Sequence, residues 1–166
     1  MPPSPHIRVS ADDAEGPGAD PSATEVVINA LTVGAVLLDR LEGVLRPFGL
    51  TVGSFNLLRT VAGADEPLTP TEIARRSPTK VTTATITGLL DTCQRNGLLR
   101  RAPHPSDKRR VLVSLTPAGR ALLATVGPEV AAAERRWVGP LAEARRRALL
   151  RGLGELRVAL ESDPPD

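Results

Sequence analysis

Threonines and arginines, rather than acids or histidines, are the residues of this chain whose types and spacing suggest chemistry. Residues 82–88 read Thr-Thr-Ala-Thr-Ile-Thr-Gly. A threonine hydroxyl donates or accepts at a base edge, and threonine and alanine methyls can touch the thymine methyl. Thr82, Thr83, Ala84, Thr87 and Gly88 are therefore the candidate base-reading set. No Arg, Asn or Gln stands there for a bidentate contact, so direct readout is expected to be modest. Further along, Arg100, Arg101, His104, Asp107, Lys108, Arg109 and Arg110 crowd into one short stretch. Lys80, Arg95, Arg101, Lys108, Arg109 and Arg110 suit phosphates, whose neutralisation releases counterions. An arginine at a short loop tip also suits the narrow, negative minor groove. Asp107 is an acid among these bases; one use for it is to hold Arg109 or Arg110 in a fixed pose.

Those residues need elements to position them. Thr69-Pro70-Thr71-Glu72 has the form of a helix start, with a threonine cap, proline at the first helical position and glutamate three after the cap. That short helix must end before Pro78. A second helix is expected from Thr82 to Asn96, burying Ile86, Leu89, Leu90 and Cys93, with Gly97 as its left-handed stop. Leu98–Ala102 and the alternating Val111, Val113 and Leu115 then read as two strands around a polar, basic loop. Two short helices and a hairpin make a winged helix-turn-helix, expected over residues 50–116.

Longer helices flank it. Leu31, Gly34, Leu38, Leu41 and Leu45 recur at spacings of three and four, and Leu149, Leu153, Leu156 and Leu160 do the same near the other end. Such seams predict dimerisation helices at 23–48 and 117–162, with Leu31, Leu38, Leu41, Leu149, Leu153, Leu156 and Leu160 at the contact. A helix from Pro117 is expected to kink at Gly127-Pro128, and Gly139-Pro140 to break the chain. Residues 1–22, with five prolines and four acids, and 163–166 read as tails. The fold class is mainly α with a small β-hairpin wing.

Charge supports this layout. The 166 residues carry a formal +2, yet residues 1–68 hold 4 basic and 9 acidic side chains, a net of −5. Residues 69–120 hold 10 and 3, a net of +7, and residues 121–166 hold 7 of each. The excess positive charge thus falls on the helix-turn-helix and wing, which points to an anionic partner docking there. Composition narrows the alternatives. One cysteine (Cys93) and two histidines (His6 and His104) supply neither an intrachain disulfide nor a Cys/His zinc site, so no metal is expected. Phe48, Phe55 and Trp137 are the only aromatics, too few for base-stacking platforms. No phosphate loop or nucleophile–base set suggests an enzyme, and no cofactor is expected. The apolar run Val26–Leu38, interrupted by Asn29 and Thr32, falls short of the roughly 20 residues of a spanning helix. No export signal is visible at the N-terminus, and a reducing cytoplasm is the expected setting. Cys93 reads as a core thiol and Arg145–Arg147 as a solvated face.

Residues 50–123 resemble the DNA-binding core of the multiple antibiotic resistance regulator (MarR) family. The carrying segments are LTVGSFNLLRTVA, LTPTEIARRS and NGLLRRAPHPSDKRRVLVSLTPAGRALL. The Asp-x-Arg of Asp107 and Arg109, followed by the Leu-Thr-Pro-x-Gly of Leu115–Gly119, is specific where a bare helix-turn-helix is not. Position 88, often a bulkier polar or basic residue in that family, is glycine here. The resemblance implies a homodimer with interlocked first and last helices and two winged lobes reading a palindromic operator in double-stranded DNA. It implies that Asp107 braces the wing and that Arg109 enters the minor groove. It also implies a small-molecule effector and, most often, repression. The alternative is a winged-helix interaction module whose basic surface meets an acidic protein.

Overall fold

The computed structural model describes residues 7–9, 20–77, 83–107 and 109–163, which form two compact units, Met1–Leu123 and Ala124–Asp166. The first unit begins with α1, Pro21–Leu45, capped by Asp20, whose carboxylate accepts from the Ser22 N–H and hydroxyl. Those hydrogen bonds hold its pKa below the usual carboxylate value. The helix thus starts two residues earlier than the apolar pattern predicts, because a cap and a first-turn proline need no apolar side chain.

A short 3-10 turn, Arg46–Phe48, closes on Gly49 at φ 68. It is followed by α2, Val52–Ala62, whose Thr51/Ser54 capping box satisfies backbone donors at both ends of the box. Next comes α3, Pro70–Arg76, entered through the Thr69/Glu72 box that the sequence pattern anticipates. Then α4, Thr83–Arg95, ends near Gly97 at φ 69, a conformation that favours glycine. The hairpin pairs β1, Leu99–Pro103, with β2, Val111–Leu115, antiparallel in the register Leu99↔Leu115 to Pro103↔Val111. Leu68 adds a bridge to Val113 that periodicity does not reveal, since it is a single residue.

The core of this unit comprises Leu45, Phe55, Leu58, Ile73, Ile86, Leu90, Cys93, Leu99 and Val113. It pins α3, α4 and the hairpin to α2. In the β2 strand, Val113 and Leu115 face inward and Val111 outward, the alternation of a half-buried strand.

Three observations revise expectations. Residues 7–9 fall in the expected tail, yet they lie against α1. Ile7 N–H donates to Asn29 Oδ1 at 2.9 Å, Asn29 Nδ2 donates back to the Ile7 carbonyl at 2.8 Å, and Val9 N–H donates to Glu25 Oε1 at 2.8 Å. Four helical residues rise about 6 Å and two extended residues about 6.6 Å, so the two spacings match along an antiparallel pair. Second, α1 with its 3-10 turn, Pro21–Phe48, is long and apolar enough to cross a membrane, with a mean hydropathy of 1.5 in its best window. The apolar run Val26–Leu38 ends before Asp39 and Arg40, and the Asn29 and Thr32 that interrupt it are uncharged and cost far less in a bilayer than charges do. Third, the exposed apolar surface of α1 is wider than one stripe. Val26, Val27, Leu31, Val33, Val36, Leu37 and Leu38 are each 44–69% exposed. At 100° per residue they span roughly 220° of the helix.

Helix α5, Pro117–Val138, runs from the first unit into the second and continues through Pro128. Its second-unit portion buries Val126, Val130 and Ala133 at spacings of four and three. The break at Gly139-Pro140 precedes α6, Glu143–Ser162, which buries no residue and leaves Leu149, Leu150, Leu153, Val158 and Leu160 50–69% exposed.

Candidate nucleic-acid interface

Helix α4 turns Ile86, Leu90 and Cys93 into the core, which leaves Ala84, Thr85, Thr87, Gly88, Asp91 and Arg95 on its outer side, all exposed. Ala84, Thr87 and Gly88 of the candidate base-reading set thus share one accessible face. A Cβ built at Gly88 meets nothing within 4 Å, so the glycine answers no packing need inside the chain. Thr83 opens the helix. Thr82, Lys80 and Lys108 lie outside the described residues. Burial pushes the Cys93 thiol up to about 11, because the core penalises the charged thiolate.

The wing tip is held by local hydrogen bonds. Asp107 Oδ1 accepts from the Arg109 backbone N–H at 3.1 Å and lies 3.5 Å from Arg109 Nε. The Asp107 carbonyl accepts from Arg110 N–H, and the Arg110 carbonyl accepts from His104 N–H. This Asx-type turn fixes the backbone while the Arg109 side chain remains 94% exposed. Asp107 therefore engages the backbone of Arg109 more closely than its guanidinium. Arg95 donates to Thr92 Oγ1, and Arg100 to Ser114 Oγ. Arg101, expected on phosphates, is bound to Asp91 at 2.6 Å.

A cleft of about 540 Å³ separates α3 from the wing, lined by Thr69, Glu72, Arg75, Arg109, Arg110 and Val111 among others. Arg75 is a basic residue that the sequence reading missed. Its place in the last turn of the short helix, among the arginines of LTPTEIARRS, is the signal that could have found it. Glu72 does not oppose these bases freely. Its carboxylate accepts from the Thr69 N–H and hydroxyl, which lowers its pKa, with smaller contributions from Arg110 and Arg75.

The far side of the wing is anchored to the start of α5. Thr116 Oγ1 donates to the Gly97 carbonyl at 2.6 Å and accepts from Gly119 N–H at 3.0 Å. A Cβ at Gly119 would run into the Leu98 carbonyl oxygen, so the Leu-Thr-Pro-x-Gly segment requires glycine for close approach. Outside the helix-turn-helix and wing, the expected contact leucines stand as their helices place them. Leu31, Leu38, Leu149, Leu153 and Leu160 are exposed, and Leu41 and Leu156 half-buried.

A family model described as the MarR family matches residues 48–110. The HTH-type transcriptional repressor YetL of Bacillus subtilis is 37% identical over 105 residues, 63% of this chain and 62% of YetL. The HTH-type transcriptional regulator PecS of Dickeya dadantii is 31% identical over 134 residues, 79% of this chain and 80% of PecS. Among solved structures, CouR bound to a 23-mer DNA duplex superposes with a TM-score of 0.72 at 28% identity, covering 82% of this chain and 95% of that one. CouR from Rhodococcus jostii RHA1 has also been solved with p-coumaroyl-CoA. The winged hairpin, the capped α3, the exposed α4 face and these likenesses agree: the chain belongs to the MarR family of transcriptional regulators.

Proposed function

We propose that this chain binds double-stranded DNA sequence-selectively as a homodimer, acts as a repressor on a palindromic operator, and is modulated by a small-molecule effector. The observation that carries the reading is the pairing of an exposed α4 face with a rigid wing tip that presents Arg109 at 94% exposure. Both lie within the stretch of net charge +7. In this reading Thr82, Thr83, Ala84, Thr87 and Gly88 meet base edges in the major groove. Lys80, Arg95, Lys108 and Arg110 neutralise phosphates, and Arg109 enters the minor groove while Asp107 braces it.

The exposed leucines and valines of α1 and α6 are assigned to a second copy of the chain. A membrane span would account for α1 alone, the single candidate span among the described residues. A second copy accounts for both helices, and it supplies the rigid spacing of about 34 Å that two half-sites require. The likeness to YetL, a repressor, favours repression, and the likeness to CouR favours duplex DNA and an effector. The cytoplasm is the proposed setting.

Selection of random-sequence duplexes by the full chain, followed by sequencing, tests the reading. Enrichment of a two-fold symmetric site with half-sites one helical turn apart is the expected result. Enrichment of no motif, or of a single asymmetric half-site, would contradict the dimeric operator reading.

A further inference from the structure

The outer side of α4 carries one acid, Asp91, one turn beyond Thr87. An acid facing duplex DNA repels phosphates, so by charge alone it weakens binding. It is not there for stability either, because a partly exposed ion pair contributes little. Its partner suggests another role. Asp91 Oδ1 lies 2.6 Å from Nη1 of Arg101, with the arginine side chain 29% exposed and the aspartate 52%. Asp91 stands on α4 and Arg101 on β1, opposite Val113. The bridge therefore joins the helix to the hairpin across the Gly97 turn, where the chain changes direction with φ at 69. A helix and a wing that must enter neighbouring grooves together need a fixed mutual angle, and a charge-assisted bond across the turn between them sets one.

We infer that Asp91 and Arg101 are positioning residues for DNA binding. Arg101 is engaged by Asp91 rather than by phosphate, and the pair holds α4 and the wing in the pose that fits both grooves. This inference rests on the DNA-binding reading above.

The test measures the affinity and salt dependence of the full chain on one selected duplex, for the parent, Asp91→Asn, Arg101→Gln, the double variant and the exchanged pair Asp91→Arg/Arg101→Asp. Positioning predicts that Asp91→Asn weakens binding by about threefold, within the range of a partly exposed ion pair. That direction is opposite to the effect of simply removing a negative charge. Arg101→Gln should weaken binding similarly with an unchanged salt slope, the double variant should be no worse than either single one, and the exchanged pair should recover most of the loss. The inference is overturned if Asp91→Asn tightens binding. It is equally overturned if Arg101→Gln lowers the salt slope by about one, the mark of a lost phosphate contact. A parent protein that binds no duplex would remove the DNA reading itself, and that result is read before any variant is compared.

Discussion

Arg109 combines a fixed backbone with a side chain that is 94% exposed and touches Asp107 only at 3.5 Å, and that combination distinguishes it from its neighbours. Arg100 and Arg101 are bonded to Ser114 and Asp91, so their guanidinium groups are already engaged. We expect Arg109→Ala to weaken duplex binding by about tenfold, whereas Thr87→Ala should mainly relax sequence preference. Parallel binding curves on a selected and a scrambled duplex separate the two effects. Cys93 invites the opposite expectation. With its thiol pushed up to about 11 and its side chain in the core, it should not react with a thiol reagent at pH 8 until the chain unfolds. Labelling that proceeds at the rate of a free thiol in the folded protein would refute this. At this scale the sequence was legible where residue type carries the chemistry, as for Arg109 and Cys93. It was silent on pairings between elements: nothing in the string joins Asp91 to Arg101, which are ten residues apart on a helix and a strand.

The elements were legible wherever a local signal marks them. The Thr69-Pro70-Thr71-Glu72 cap placed the start of α3 to the residue, because the side chains of Thr69 and Glu72 each accept from the other's backbone N–H. Thr69→Ala should cost about 1 kcal/mol of stability. Glu72 gives the same cap a pH dependence. Its pKa is lowered in the folded state, so its contribution is complete above the ordinary value of 4.5 and fades as pH falls through the lowered one. The stability difference between the parent and Glu72→Gln, followed by thermal melting, should therefore shrink between pH 7 and pH 3. The segment at residues 7–9 shows what local signals omit. Its hydrogen bonds go to Asn29 and Glu25, far along the chain and invisible to periodicity. Trypsin should cut the parent slowly after Arg8 and cut Asn29→Ala faster. Equal rates would mean that Asn29 does not hold the segment.

For the whole molecule, the charge division was readable from the order of charged residues along the chain, and the +7 stretch is the one that contains α3, α4 and the wing. The breadth of the exposed apolar surface on α1 was not. A spacing of three and four marks one stripe, while valines outside it widen the surface without any periodic signature. Those faces are the reason for assigning a second copy, but the central claim is that the basic face meets duplex DNA. The most direct measurement is the affinity of the full chain for a selected duplex across a series of salt concentrations. The account predicts a linear fall of log K with log salt, with a slope of magnitude about 4 or more for a protein neutralising several phosphates. A flat dependence, or no binding at low salt, would contradict it.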